Sequence, residues 1–204
     1  ELGLDDIRDM VQTSGMEIEA FVHGAMCISY SGRCLMSSFM ANRDANRGMC
    51  THPCRWNYAV MEETRPGQYM PIMEDGRGTY LFNSRDLCMI DHLPALIDSG
   101  VSSLKIEGRM KGIHYLASVV KVYREAIDAC LSGPREYRVR DDWQHELNRI
   151  SHRPYGTGFY LKDSAAVIPA YDDPQPCADA VFLGRILEPD SFGRVRVDVR
   201  NRFF

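Results

Sequence analysis

The sequence predicts an α/β fold: the C-terminal portion of a β/α (TIM-type) barrel with a cysteine-rich insertion, followed by the start of a small β domain. Three observations predict it. Helical and strand-like patterns alternate, with glycine at helix ends, which favours parallel strands joined by crossover helices. Two strand-like runs carry small or apolar residues on one face and polar ones on the other, as the C-terminal ends of barrel strands do. A closed barrel needs eight units and about 250 residues, whereas these 204 residues offer two or three units.

The elements follow in order. Leu4 to Val11 is a short amphipathic stretch, stopped by the turn Ser14-Gly15. Glu17 to His23 alternates with the period of a strand, Ile18, Ala20 and Val22 on one face and Glu17, Glu19, Phe21 and His23 on the other. Residues 24–56 are rich in Gly, Cys, Ser, Asn and Arg and keep no period, which predicts a long functional loop. A hairpin is expected over residues 58–82, around Arg65-Pro66-Gly67. Asp91 reads as an N-cap, with Pro94 tolerated in the first turn and Gly100 as the stop. Ser103 to Glu107 is a second alternating strand. Gly112 to Leu131 is a long amphipathic helix with Ile113, Leu116, Val119, Val120, Tyr123, Ile127 and Cys130 near one stripe. A short helix is expected from Trp143 to Ile150. The barrel part thus covers residues 1–160, a Pro-rich linker residues 161–177, and the small β domain begins over 178–204, with strands at Ala180 to Ile186 and Val195 to Val199.

Composition narrows the function. Apolar content of 45% and charged content of 25% are ordinary globular usage, which excludes disorder and coiled coil. No run of eighteen apolar residues exists to span a membrane as a helix. A net charge of −4 argues against a general polyanion binder. The opening at Glu1, without Met or a signal pattern, is read as a cut inside a longer protein whose N-terminal remainder is missing here. Seven cysteines, an odd number, do not suit a disulfide framework and suggest a cytoplasmic protein with clustered thiols.

Cysteine spacing is the strongest chemical signal. Six residues separate Cys27 from Cys34, fifteen separate Cys34 from Cys50 and three separate Cys50 from Cys54, with Cys88 further on. Thiolates are soft ligands suited to zinc or iron–sulfur clusters, and a glycine-rich loop lets several converge. Cys130, on an apolar helix stripe, reads instead as a buried core residue, and Cys177 falls in the linker. Proteolytic signatures are missing: there is no His-Glu-x-x-His, no Ser–His–Asp order and no paired aspartates.

The run from Glu19 to Ser37, Glu-Ala-Phe-Val-His-Gly-Ala-Met-Cys-Ile-Ser-Tyr-Ser-Gly-Arg-Cys-Leu-Met-Ser, resembles the signature of peptidase family U32, the collagenase-like proteases. Cys50 to Trp56 and Ser103 to Lys111 are similar to further blocks of that family. Ser151 to Tyr160 and the ending Val197 to Phe203 resemble its tRNA-hydroxylating branch. That resemblance implies a β/α barrel with a C-terminal β domain and a four-iron four-sulfur cluster. It also implies prephenate-dependent formation of 5-hydroxyuridine at the tRNA wobble position. The family pattern places four cysteine ligands at Cys27, Cys34, Cys50 and Cys88, with Cys54 as the runner-up because Cys50 and Cys54 form a compact pair that zinc also accepts. Peptide hydrolysis, and a non-enzymatic cluster-bearing scaffold that binds RNA or a partner, are the alternatives.

The remaining site candidates lie around the two strands. His23 and Glu107, expected to open on the same face, are the candidate catalytic groups. For His23, a general acid–base role or contact with the cluster stands beside the plainer reading of a histidine bonding a loop carbonyl. Lys105 and Arg109 are suited to clamp the carboxylates of a small acid such as prephenate; an ion pair between Lys105 and Glu107 is the structural reading. His152 and Arg153 are candidates for contact with substrate or RNA. Arginines also gather at Arg33, Arg43, Arg47 and Arg55 and at Arg185, Arg194, Arg196, Arg200 and Arg202. With Tyr155, Phe159 and Tyr160 as stacking surfaces, these would fit a tRNA substrate.

Overall fold

The computed structural model describes residues 2–27, 29, 33–56, 59–61, 69–71, 85–161, 180–189 and 193–201. In chain order the elements are α1 (Leu4–Ser14), β1 (Glu19–Ala25), α2 (Met36–Ala41), β2 (Ala59–Met61), β3 (Tyr69–Pro71) and β4 (Asp86–Cys88). They continue with α3 (Leu93–Asp98), β5 (Ser103–Ile106), α4 (Ile113–Ser132), α5 (Asp141–Arg149), β6 (Tyr155–Gly156), β7 (Gly184–Pro189) and β8 (Val195–Val199).

The central sheet has the order β5-β1-β4-β6. β1 and β5 are parallel neighbours, as expected, and the β1–α3–β5–α4 run is α/β in character. β4 and β6 are parallel to each other, but β4 runs antiparallel to β1, so the described sheet is mixed. β2 with β3 and β7 with β8 form two separate antiparallel pairs. The first pair falls where the hairpin was expected. Its turn, the last part of the expected hairpin (residues 72–82) and the linker 161–177 (Leu161 apart) lie outside the described residues.

Local chemistry accounts for the helices. α1 carries Asp5 and Asp6 in its first turn, where the positive end of the helix dipole favours them, and ends on Gly15 at φ +66°. α3 differs from expectation at its start. Asp91 lies within a 3₁₀ turn, Ile90–His92, and the cap position of α3 is His92, so Asp91 is not its N-cap. Pro94 does fall in the first turn, and Gly100, at φ +84°, follows the C-cap Ser99. In α4 the buried arc is rotated from the expected stripe. Tyr115, Ser118, Val119, Val122, Tyr123, Ala126 and Cys130 face inward, whereas Ile113, Leu116 and Val120 are exposed.

The core lies between the sheet and helices α3, α4 and α5. Val22, Met89, Leu93, Leu96, Val119 and Ala126 are wholly buried. Two polar tips inside it are satisfied: Tyr137 Oη donates to the Ile90 carbonyl at 2.7 Å and Trp143 Nε1 to Glu125 at 2.9 Å. β5 is the outer strand of this sheet among the described residues. An apolar groove of about 150 Å³ runs between it and α4, lined by Leu104, Ile106, Val120 and Ile127 among others. Among the described residues no helix is long and apolar enough to cross a membrane.

Candidate functional site

The site grows from an irregularity in β1. Glu19, Ala20 and Phe21 pair in step with Ser103, Leu104 and Lys105, but the next partner of Ile106 is His23, so one extra residue is accommodated between Phe21 and His23. Such a bulge reverses the alternation beyond it. Strict alternation would put His23 with Glu19 and Phe21 on the open face. Instead Glu19 and Phe21 are exposed there, while His23 is 1% exposed and turned toward α4. The expectation that His23 opens beside Glu19 and Phe21 on the polar face is therefore corrected by this bulge.

Three tyrosines surround the His23 ring, with centroids at 6.0 Å (Tyr115), 5.4 Å (Tyr123) and 5.3 Å (Tyr155). Neither ring nitrogen has a hydrogen-bond partner among the described residues. Burial pushes its pKa down to about 3, against the opposing pull of Asp86, so the imidazole is neutral at physiological pH.

Cys88 stands directly across from His23 in the β1–β4 ladder. Its sulfur lies 3.8 Å from Tyr123 Oη, and burial pushes the thiol up to about 11. Tyr123 Oη also donates to the Val22 carbonyl at 2.8 Å and accepts from Met89 N at 3.2 Å, so one phenol ties α4 to both strands. Beyond β4, His152 stacks on Tyr155 with centroids 4.2 Å apart and 5° between planes. Arg153, 6% exposed, donates its backbone N–H to Asp86 Oδ2 at 3.2 Å. His23, Cys88, His152 and Arg153 are thus brought into one region at β1, β4 and β6.

Asp86, 1% exposed, belongs to that region and was missed in the sequence. Its signal was an acid set directly before the apolar run Leu87-Cys88-Met89-Ile90.

Lys105, Glu107 and Arg109 do not join that group. Lys105 Nζ sits 2.8 Å from Glu19 and 5.1 Å from the Phe21 ring centroid, so its ion-pair partner is Glu19 and not Glu107. Glu107 instead accepts the Arg109 backbone N–H at 3.0 Å, while its own N–H donates to the His23 carbonyl at 2.8 Å. The Arg109 guanidinium lies against Gly48, which is at φ +75°, and so joins the end of β5 to the cysteine-rich segment two residues before Cys50.

That segment holds Cys27, Cys34, Cys50 and Cys54, and none of the six described cysteines is in a disulfide. Backbone N–H groups point at two sulfurs: Ser29 N at 3.5 Å from Cys27 Sγ and His52 N at 3.3 Å from Cys50 Sγ. Cys88 differs, being turned to Tyr123. Among the described residues no three His, Cys, Asp or Glu side chains are gathered closely enough to hold a metal ion.

Of the aromatic residues expected to stack on RNA, two are engaged internally. Tyr155 Oη donates to the Leu147 carbonyl at 3.0 Å, and Tyr160 Oη donates to the Phe21 carbonyl. Phe159 is 40% exposed. In the β7–β8 pair, Arg185 and Arg200 both reach Asp198, at 2.9 Å each.

Comparison with known proteins places this geometry. The family model of peptidase family U32 matches residues 1–167. A tRNA hydroxylation protein P1 of Bacillus subtilis (strain 168) is 42% identical over 155 residues, covering 76% of this chain and 36% of that protein. A tRNA hydroxylation protein P of Escherichia coli (strain K12) is 35% identical over 245 aligned positions, covering all of this chain and 53% of that protein. A collagenase of Porphyromonas gingivalis is 31% identical over 79% of the chain. The chain spans about half the length, or less, of these relatives. No solved structure matches it. A family match running from β1 through the cysteine-rich segment to β6 means that this chain belongs to peptidase family U32.

Proposed function

We propose that this chain is the cysteine-bearing part of a tRNA-modifying hydroxylase that converts wobble uridine to 5-hydroxyuridine with a four-iron four-sulfur cluster and prephenate. The observation that carries the reading is the end-to-end similarity to a protein named for tRNA hydroxylation. The run β1–α3–β5–α4 is read as units of a β/α barrel, with antiparallel β4 arriving from the insertion that follows β1.

The donor chemistry fits a cluster. Cys27, Cys34 and Cys50 supply three thiols, two of them already receiving N–H groups, and Cys88 is the fourth. Bound there, the cluster supplies one-electron chemistry. Loading requires Cys88 to leave Tyr123 and give up its proton; Cys54, in the same segment as the other three, is the competing fourth ligand. Lys105 and Arg109, on exposed surface, are the cations for the carboxylates of the co-substrate. The collagenase-named relative favours peptide hydrolysis as the second reading.

Anaerobic reconstitution followed by iron and sulfide analysis tests the cluster. Cys88→Ala is expected to abolish the brown chromophore and Cys54→Ala to leave it; the reverse moves the fourth ligand to Cys54, and zinc in both ends the cluster reading. Calorimetry with prephenate should show Lys105→Met weakening binding by about 1.5–3 kcal/mol, while unfolding is little changed because the Glu19 pair is solvent-exposed. Nucleoside analysis of tRNA from a deletion strain separates the two activities: loss of 5-hydroxyuridine supports hydroxylation, and intact tRNA with lost peptide cleavage supports the peptidase.

A further inference from the structure

We infer that the surface around α2 in the cysteine-rich segment is a platform on which unpaired bases of the RNA substrate stack, with Phe39 as its principal ring. The inference rests on the tRNA reading above and deepens it.

Phe39 is 93% exposed, the most exposed large apolar side chain among the described residues. Leu35, one helical turn earlier, is 67% exposed. This is not a loose helix end. On the opposite side Ser37 is fully buried, its hydroxyl 3.1 Å from Thr51 Oγ1 and accepting Thr51 N–H at 3.0 Å. Fixing Ser37 inward against the residue that follows Cys50 leaves Phe39 and Leu35 facing out.

Two cations follow this helix directly. Asn42, at φ +51°, ends α2. Arg43 N then donates to the Ser37 carbonyl at 3.1 Å and Ser38 Oγ to the Arg43 carbonyl at 3.3 Å, which turns the chain back on the helix. Arg43 and Arg47 are exposed, and neither guanidinium has an ion-pair partner among the described residues. The one acid in residues 24–56, Asp44, accepts the Asn46 N–H and caps its own turn. Four arginines against one acid make the segment cationic in a chain whose net charge is −4. Trp56, 44% exposed, ends the segment and supplies a second exposed ring.

Exposed rings flanked by uncompensated guanidinium groups match single-stranded nucleic acid, whose bases stack on aromatic faces while its phosphates pair with arginine. A base stacked on α2 also lies next to the loop that carries Cys50, where the reaction is proposed.

The test is a fluorescence-anisotropy titration of the reconstituted chain with a labelled hairpin RNA whose loop contains uridine. Phe39→Ala should weaken binding about tenfold, the loss of one stacked base. Phe39→Leu should behave like Phe39→Ala, and Phe39→Trp should bind like wild type. Arg43→Ala with Arg47→Ala should lower the slope of log Kd against log salt by about 1.4, two phosphate contacts on a single strand. Circular dichroism should be unchanged throughout, since these side chains are exposed. Wild-type binding that survives all these changes overturns the platform and leaves the tRNA reading standing. No RNA binding by the wild type overturns both. Phe39→Leu binding like wild type shows a merely apolar contact and overturns the stacking role. RNA binding unchanged while Phe39→Ala abolishes self-association overturns the proposal and assigns the face to a second copy.

Discussion

The joint between β1 and β5 holds the site together, and Gly24→Ala attacks it directly. Gly24 lies at φ +113°, where an L side chain is strained, and a Cβ there would overlap the Glu107 carbonyl oxygen and stand 2.9 Å from Glu107 Cβ. The obstacle is backbone, held by the hydrogen bond from Glu107 N to the His23 carbonyl, so it cannot swing aside as a side chain would. Two costs add: about 1–2 kcal/mol for the left-handed backbone and about 1–3 kcal/mol for forcing atoms into a filled space. Gly15→Ala is the matched control, because Gly15 is also left-handed, at φ +66°, with nothing within 4 Å of its Cβ position. It should cost only the first amount. Urea unfolding of both variants measures the difference, expected as a lower midpoint for Gly24→Ala at unchanged m-value. Equal midpoints would refute the close approach of β1 and Glu107.

Two further outcomes follow from the tyrosines. Tyr123→Phe removes the hydroxyl shared by Val22, Met89 and Cys88, yet Met89 N still donates to the Val22 carbonyl at 3.0 Å, so no backbone group is orphaned. The loss in urea unfolding should be about 1 kcal/mol; a loss above about 3 kcal/mol would mean that the hydroxyl holds more than these contacts. Tyr160 is pushed up to about 12 by burial, so the folded state keeps its proton where the unfolded state, near 10, gives it up. Its contribution is complete below pH 10 and is lost as pH rises toward 12, and Tyr160→Phe should flatten stability across that window. A tyrosinate absorbance for this residue at pH 10 would contradict its burial.

Legibility in the sequence followed the length and regularity of each element. The twenty residues of α4 gave a period strong enough to fix its ends within a residue of those observed, because many turns average out single misplaced side chains. The parallel pairing of β1 with β5 was legible for the same reason, since both alternate. α4 was still read with its stripe off-centre: Ile113, Leu116 and Val120 are apolar yet exposed, Val120 lining the open groove beside β5, and periodicity alone does not say which apolar residues a neighbour covers.

The site was less legible because its geometry depends on a bulge. A bulge needs no special residue type, and Phe21-Val22-His23 alternates perfectly on paper. One inserted residue moves His23 from the face of Glu19 and Phe21 into the ring of Tyr115, Tyr123 and Tyr155. Lys105 lies before the bulge, opposite Phe21, and pairs with Glu19. His23 meets Cys88 across β4, a strand of three residues that is too short to carry a period. The residue types were readable as candidates, since histidine and arginine are costly in a core without a partner and clustered thiols suit a metal. Their grouping was not, because it is set by one unit of register in β1, and register is information held between strands rather than along either one.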